Sequence, residues 1–154
     1  MSKAKQLIPA DYAALLAEVK ERVRSAQYAA LKAVNKELVT LYWDIGRLIT
    51  SRQADAAHGA AIAEQLAADL RQEYPGVSGY SSRNVFYMRE FYLVYRDSPK
   101  VQPLVAQIGW TQNLIILQCC KNPLTRRRLL WKRHQANTRH YKYPSFRRKP
   151  ESSL

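Results

Sequence analysis

The sequence predicts an all-α fold of five to seven helices. Three observations carry that prediction. Apolar residues recur at three- and four-residue steps through most of residues 12–132. No stretch alternates apolar and polar residues long enough to make a convincing strand. Proline and glycine fall between the periodic segments, where a helix has to stop.

Pro9-Ala10-Asp11 opens the first expected helix, with Tyr12, Leu15, Leu16, Val19 and Val23 on one face. The longest helix is expected over 27–52. Leu31, Val34, Leu38, Leu41, Tyr42, Ile45, Leu48 and Ile49 recur along it, with charged residues between them. Such a stripe either lines the domain's own core or forms an intermolecular coiled-coil seam. A third helix follows Gly59, with Ile62, Leu66 and Leu70 at i, i+4 and i+8. Tyr74 to Tyr80 breaks it, because Pro75 cannot continue a helix and Gly76 and Gly79 permit positive φ. Ser81 or Ser82 then caps a fourth helix carrying Val85, Met88, Tyr92 and Tyr95 on one face.

Residues 59–96 thus form a helix-turn-helix-like pair. Its connection of about seven residues is longer than the tight turn of that motif. Asp97-Ser98-Pro99 ends the fourth helix, and a short one follows Pro103 up to Gly109. Thr111 is expected to cap a segment running to Cys120, and Asn122-Pro123 leads into a last helix over 124–132. Trp43 and Trp110 read as core anchors, and Asp44 either as a partner for Arg47 or as a cap for a neighbour. These residues define a helical domain over 1–133. From His134 to Leu154 aliphatic residues almost vanish, so 134–154 is expected to be a disordered basic tail.

The formal net charge is +13, unevenly spread. Residues 121–154 hold 11 Lys/Arg against Glu151 alone. Such a segment attracts polyanions through counterion release, nucleic acid above all. Cys119 and Cys120 are adjacent and the chain has no other thiol, so neither a disulfide framework nor a zinc set can form. They read as small apolar residues on a buried helix in a reducing compartment. His58, His134 and His140 lack metal-ligand spacing, so no metal or cofactor is expected. The longest compact apolar run, Leu114 to Leu117, is far below the ~20 residues that span a bilayer. No signal peptide is visible. The expected location is cytoplasmic, with no membrane partner.

Four blocks carry a family resemblance. They are Leu41-Tyr42-Trp43-Asp44-Ile45-Gly46-Arg47-Leu48-Ile49, the Gly59…Leu70 helix, Ser81-Ser82-Arg83-Asn84-Val85…Met88-Arg89-Glu90-Phe91-Tyr92, and Ile108-Gly109-Trp110-Thr111-Gln112-Asn113-Leu114. In this order and spacing they resemble the N-terminal domain of the YhcG family. The resemblance implies a helical DNA-binding module that normally precedes a nuclease domain of the PD-(D/E)XK type. No Pro-Asp followed by a spaced Glu-x-Lys occurs here, so the chain is expected to be the module alone, truncated before the nuclease and not an enzyme. After about Trp131 the sequence departs from the family blocks, as a replaced or read-through end would.

The candidate DNA-binding residues are Ser81, Ser82, Arg83, Asn84, Tyr87 and Arg89 on the fourth helix and Arg126, Arg127, Arg128 and Lys132 on the last; Tyr87 and Arg89 could equally stack among Phe86, Phe91, Tyr92 and Tyr95. Arginine can grip guanine or a phosphate with two bonds, and asparagine can do the same for adenine. Ser81 to Asn84 could equally be nothing but a helix cap. Three successive arginines span too much of a helix surface to face one groove together, so a solvated face stands beside the phosphate reading. Two functions remain open. One is a duplex-DNA-binding module; the other is an interaction or oligomerisation module, partnering a second copy, a nuclease or a restriction-system subunit.

Overall fold

The computed structural model describes residues 12–52 and 59–142. Among the described residues there are six α-helices and no strand. These are α1 (Tyr12–Arg52), α2 (Gly59–Glu73), α3 (Ser82–Tyr95), α4 (Gln102–Val105), α5 (Trp110–Cys119) and α6 (Pro123–Lys142). The expected fold class holds, and several boundaries differ: α4 ends at Val105, short of Ile108, and α5 begins at Trp110 with Gly109 at its N-cap, so Thr111 is not the cap. The first two expected helices are one, because no proline or glycine separates Val23 from Tyr28 and α1 runs unbroken for 41 residues. α6 continues past residue 133 to Lys142. Gln135 and Ala136 are good helix formers, and extending a nucleated helix needs no apolar face. The remainder of the expected tail, 143–154, lies outside the described residues.

The chain divides into two compact units between Val34 and Asn35. The described part of the first is the Tyr12–Val34 stretch of α1, in which no residue is buried. Four of its charged residues pair along the helix: Arg22 donates to Glu18 at 3.3 Å, and Arg24 lies 3.9 Å from Glu21. The apolar residues expected on one face here, Tyr12, Leu15, Leu16, Val19 and Val23, are all exposed.

The second unit holds the core. Val39, Tyr42, Gly46 and Ile49 of α1 recur at three- and four-residue steps and are buried. The long stripe read from the sequence therefore splits: Tyr42 and Ile49 face the core, and Leu38, Leu41 and Leu48 remain exposed. In α2 the buried residues are Ala63 and Ala67, with Leu66 half-buried and Ile62 exposed. That helix is turned from the expected Ile62-Leu66-Leu70 face because two alanines let it lie closer to α3. On α3 the buried residues are Val85, Met88, Phe91 and Tyr95.

Phe91, fully buried, is the hub of an aromatic network. Its ring meets Trp43, Tyr95 and Trp110 edge-on at centroid distances of 5.7, 5.2 and 5.2 Å. Tyr42 meets Trp110 at 4.8 Å. Edge-to-face contact places a positive ring edge on a negative ring face, and each such pair adds to plain area burial. Both tryptophans thus serve as the expected anchors. Gly46 lies where α1 crosses α3, and a Cβ there would collide with the Met88 carbonyl. Asn113, the buried polar residue, donates to the carbonyls of Val105 and Ile108 at 2.9 Å each, tying off the end of α4.

Candidate nucleic-acid interface

Ser81 sets the start of α3. Its backbone is extended (φ −67°, ψ 150°) and its hydroxyl accepts from the Asn84 amide N–H at 3.2 Å. The other first-turn N–H groups carry the positive end of the helix dipole. The preceding turn is made by Gly76 at φ 86° and Gly79 at φ 114°, both left-handed, as the two glycines led one to expect. A Cβ on Gly79 would meet the Tyr42 hydroxyl, so the turn sits tightly against α1.

Arg83 is exposed and lies back along its own helix. Its Nε and Nη2 each donate to the Tyr87 hydroxyl at 3.3 Å, and its guanidinium stands 5.6 Å from the Tyr87 ring centre. Asn84 is committed inward. Its Nδ2 donates to the Gly79 carbonyl, and its Oδ1 accepts from Trp110 Nε1 at 2.8 Å. One side chain thus joins the turn, α3 and α5. Asn84→Ala is expected to cost about 1–3 kcal/mol of stability, since the Trp110 N–H and the Gly79 carbonyl lose their partner. A urea titration reads that loss, and an unchanged midpoint would remove Asn84 from this role. Ser82 is half-buried, and Arg89, also half-buried, donates to Glu90 at 2.8 Å.

The basic residues of α6 cluster elsewhere. Asn122 accepts from the N–H groups of Leu124 and Thr125 at 2.9 and 3.3 Å, and Pro123 fills the first turn. Arg126 donates to the Cys120 carbonyl at 2.9 Å and stands 5.8 Å from the Tyr95 ring centre. Arg127, Arg128 and Lys132 are exposed. Arg126 and Arg127 line a cleft of about 310 Å³ with Tyr95, Lys100, Val101 and Leu124. Burial pushes the Tyr95 hydroxyl up to about 12, opposed by the Arg126 charge. Tyr95 ends α3 and Arg83 begins it, so the two basic groups are separated by about 18 Å along that helix.

Sequence reasoning missed the inward bonds of Asn84 and the place of Lys100 beside α6, because both depend on tertiary partners far along the chain. The cysteine reading is corrected: Cys119 is exposed and Cys120 half-buried. Asp44 does accept from Arg47, at 3.3 Å. Among the described residues no group of three His, Cys, Asp or Glu could hold a metal, and no helix is long and apolar enough to cross a membrane.

The DUF1016 N-terminal domain matches residues 18–154. The chain belongs to that family. The match runs to the C-terminus, which corrects the expected departure after Trp131: residues 132–154 are part of the family match. A relative in Escherichia coli (strain K12), named "Putative nuclease YhcG", is 35% identical over 78 residues. That alignment covers 48% of this chain and 20% of the relative, so the match spans only about a fifth of that protein's length. No solved structure matches the chain.

Proposed function

We propose that this domain is the duplex-DNA-binding module of a nuclease-family protein and carries no catalysis by itself. The observation that supports it most is Arg83, an exposed guanidinium at the capped start of α3, held by Tyr87 where the helix dipole is positive. In this reading the start of α3 enters the major groove and Arg83 meets a base edge. Lys100, Arg127, Arg128 and Lys132 meet backbone phosphates. Asn84 shapes the reading end from within. The relative's name, the charge of +13 and the basic cleft at the other end of α3 support the same assignment.

The test is a salt titration of duplex binding by the full chain and by Arg83→Ala. A base contact predicts a loss of about 1–3 kcal/mol, roughly 5- to 150-fold, with relaxed preference at one position. A phosphate contact alone predicts an equal loss on every sequence and a salt slope shallower by about one. Binding unchanged in both respects overturns the placement of α3.

A further inference from the structure

We infer that the Tyr12–Val34 stretch of α1 pairs with the same stretch of a second copy, antiparallel, with Val23 at the two-fold axis. Within this stretch Tyr12, Leu16, Val19, Val23, Ala26, Ala30 and Val34 follow one another at three- and four-residue steps, a single seam. The large members are exposed, from 37% for Leu16 to 67% for Val34. Glu37, three residues on, falls on the same face and closes the seam. A lone helix with such a face is marginal in water, and its apolar surface calls for a partner.

A second copy fits this face for three reasons. Tyr12, Leu15, Leu16, Val19, Val23 and Val34 offer on the order of 600 Å² per copy, so a pair buries about 1,200 Å², the lower bound for a stable complex before alanines and stems are counted. The seam's small residues, Ala26 and Ala30, both lie on the C-terminal side of Val23, and Leu16 and Val19 lie on the other. Antiparallel pairing about Val23 sets Leu16 against Ala30 and Val19 near Ala26, so these layers combine a large and a small side chain, while Val23 meets its own copy on the axis and Tyr12 meets Val34 at the ends. Parallel pairing would stack Leu16 on Leu16 and leave Ala30 facing Ala30 across a gap. Finally, Glu18, Lys20, Glu21, Arg22, Arg24 and Lys32 all fall off the seam, with two pairs formed along the helix, so the approach buries no charge. The pairing goes beyond DNA recognition and does not depend on it.

Sedimentation of the full chain without nucleic acid tests it. The expected result is a species of twice the 17.8 kDa chain mass at tens of micromolar. Val23→Glu, at an exposed position, should return the monomer with helix content unchanged. Orientation is read by oxidation in a Cys119→Ser, Cys120→Ser background. Leu16→Cys with Ala30→Cys should cross-link into covalent dimers, and Leu16→Cys alone should not. A wild-type monomer, a dimer untouched by Val23→Glu, or cross-linking through Leu16→Cys alone would each overturn the proposal.

Discussion

Replacing Phe91 by alanine is expected to destabilise the second unit by about 3–5 kcal/mol, the largest effect of any single core truncation here. The ring touches three other aromatic rings, from α1, α3 and α5, and is completely shielded from water. Removing it opens a void whose walls are the edges of Trp43, Tyr95 and Trp110. Those rings are anchored on separate helices and cannot all collapse inward, so the cavity cost adds to the lost transfer energy. For a unit of this size the melting temperature should fall by roughly 12–20 °C. Far-UV circular dichroism measures the fall, at fixed protein concentration because pairing through α1 would make the midpoint concentration-dependent. Phe91→Leu, which keeps most of the volume, should lose far less. A loss below about 1 kcal/mol for Phe91→Ala would show that the network is not the keystone of this core.

Gly46→Ala should invert the usual sign of its effect. In an exposed helix interior, alanine is better than glycine by roughly 0.5–1 kcal/mol, because glycine loses more backbone freedom on folding. At Gly46 the added methyl meets the backbone carbonyl of Met88, an atom fixed in the hydrogen-bond ladder of α3. Neither group can rotate away, so the two helices must separate and loosen the contacts of Val39, Tyr42 and Ile49. The expected result is a net loss of about 2–3 kcal/mol. Urea unfolding checks it: the midpoint should fall while the slope stays that of a fully folded chain. A gain in stability would mean the crossing is looser than the structure shows.

Helical periodicity, Pro75 and Pro99, and the serines before α3 were enough to place α2, α3 and the short connecting elements. Ser81 is the cap, and Gly76 and Gly79 make the left-handed turn. Faces were harder to read. Along α1 the exposed and buried stripes are both apolar, so periodicity alone could not say that Tyr42 and Ile49 turn inward and Leu41 and Leu48 outward. Only the crossing at Gly46, a contact with a residue more than forty positions away, decides it. In α2 the buried face is chosen by two alanines, which hydrophobicity ranks below Ile62. For the candidate interface, residues could be named from the sequence but their arrangement could not. Arg83 and Asn84 are neighbours in sequence with opposite fates, one against its own helix surface, the other bonded into the interior. Arg126 lies beside Tyr95, at the far end of α3 from both.

The Asn84 bridge makes the start of α3 and the aromatic interior parts of one thermodynamic system. The amide that grips the Gly79 turn also holds the indole of Trp110, and Trp110 leans on Phe91 and Tyr42. A duplex seated on the capped end of α3 would favour the native arrangement over any opened one and so raise the midpoint of unfolding. Linkage runs both ways: a lesion deep among the rings, with no atom near nucleic acid, would be felt as weaker grip at the surface.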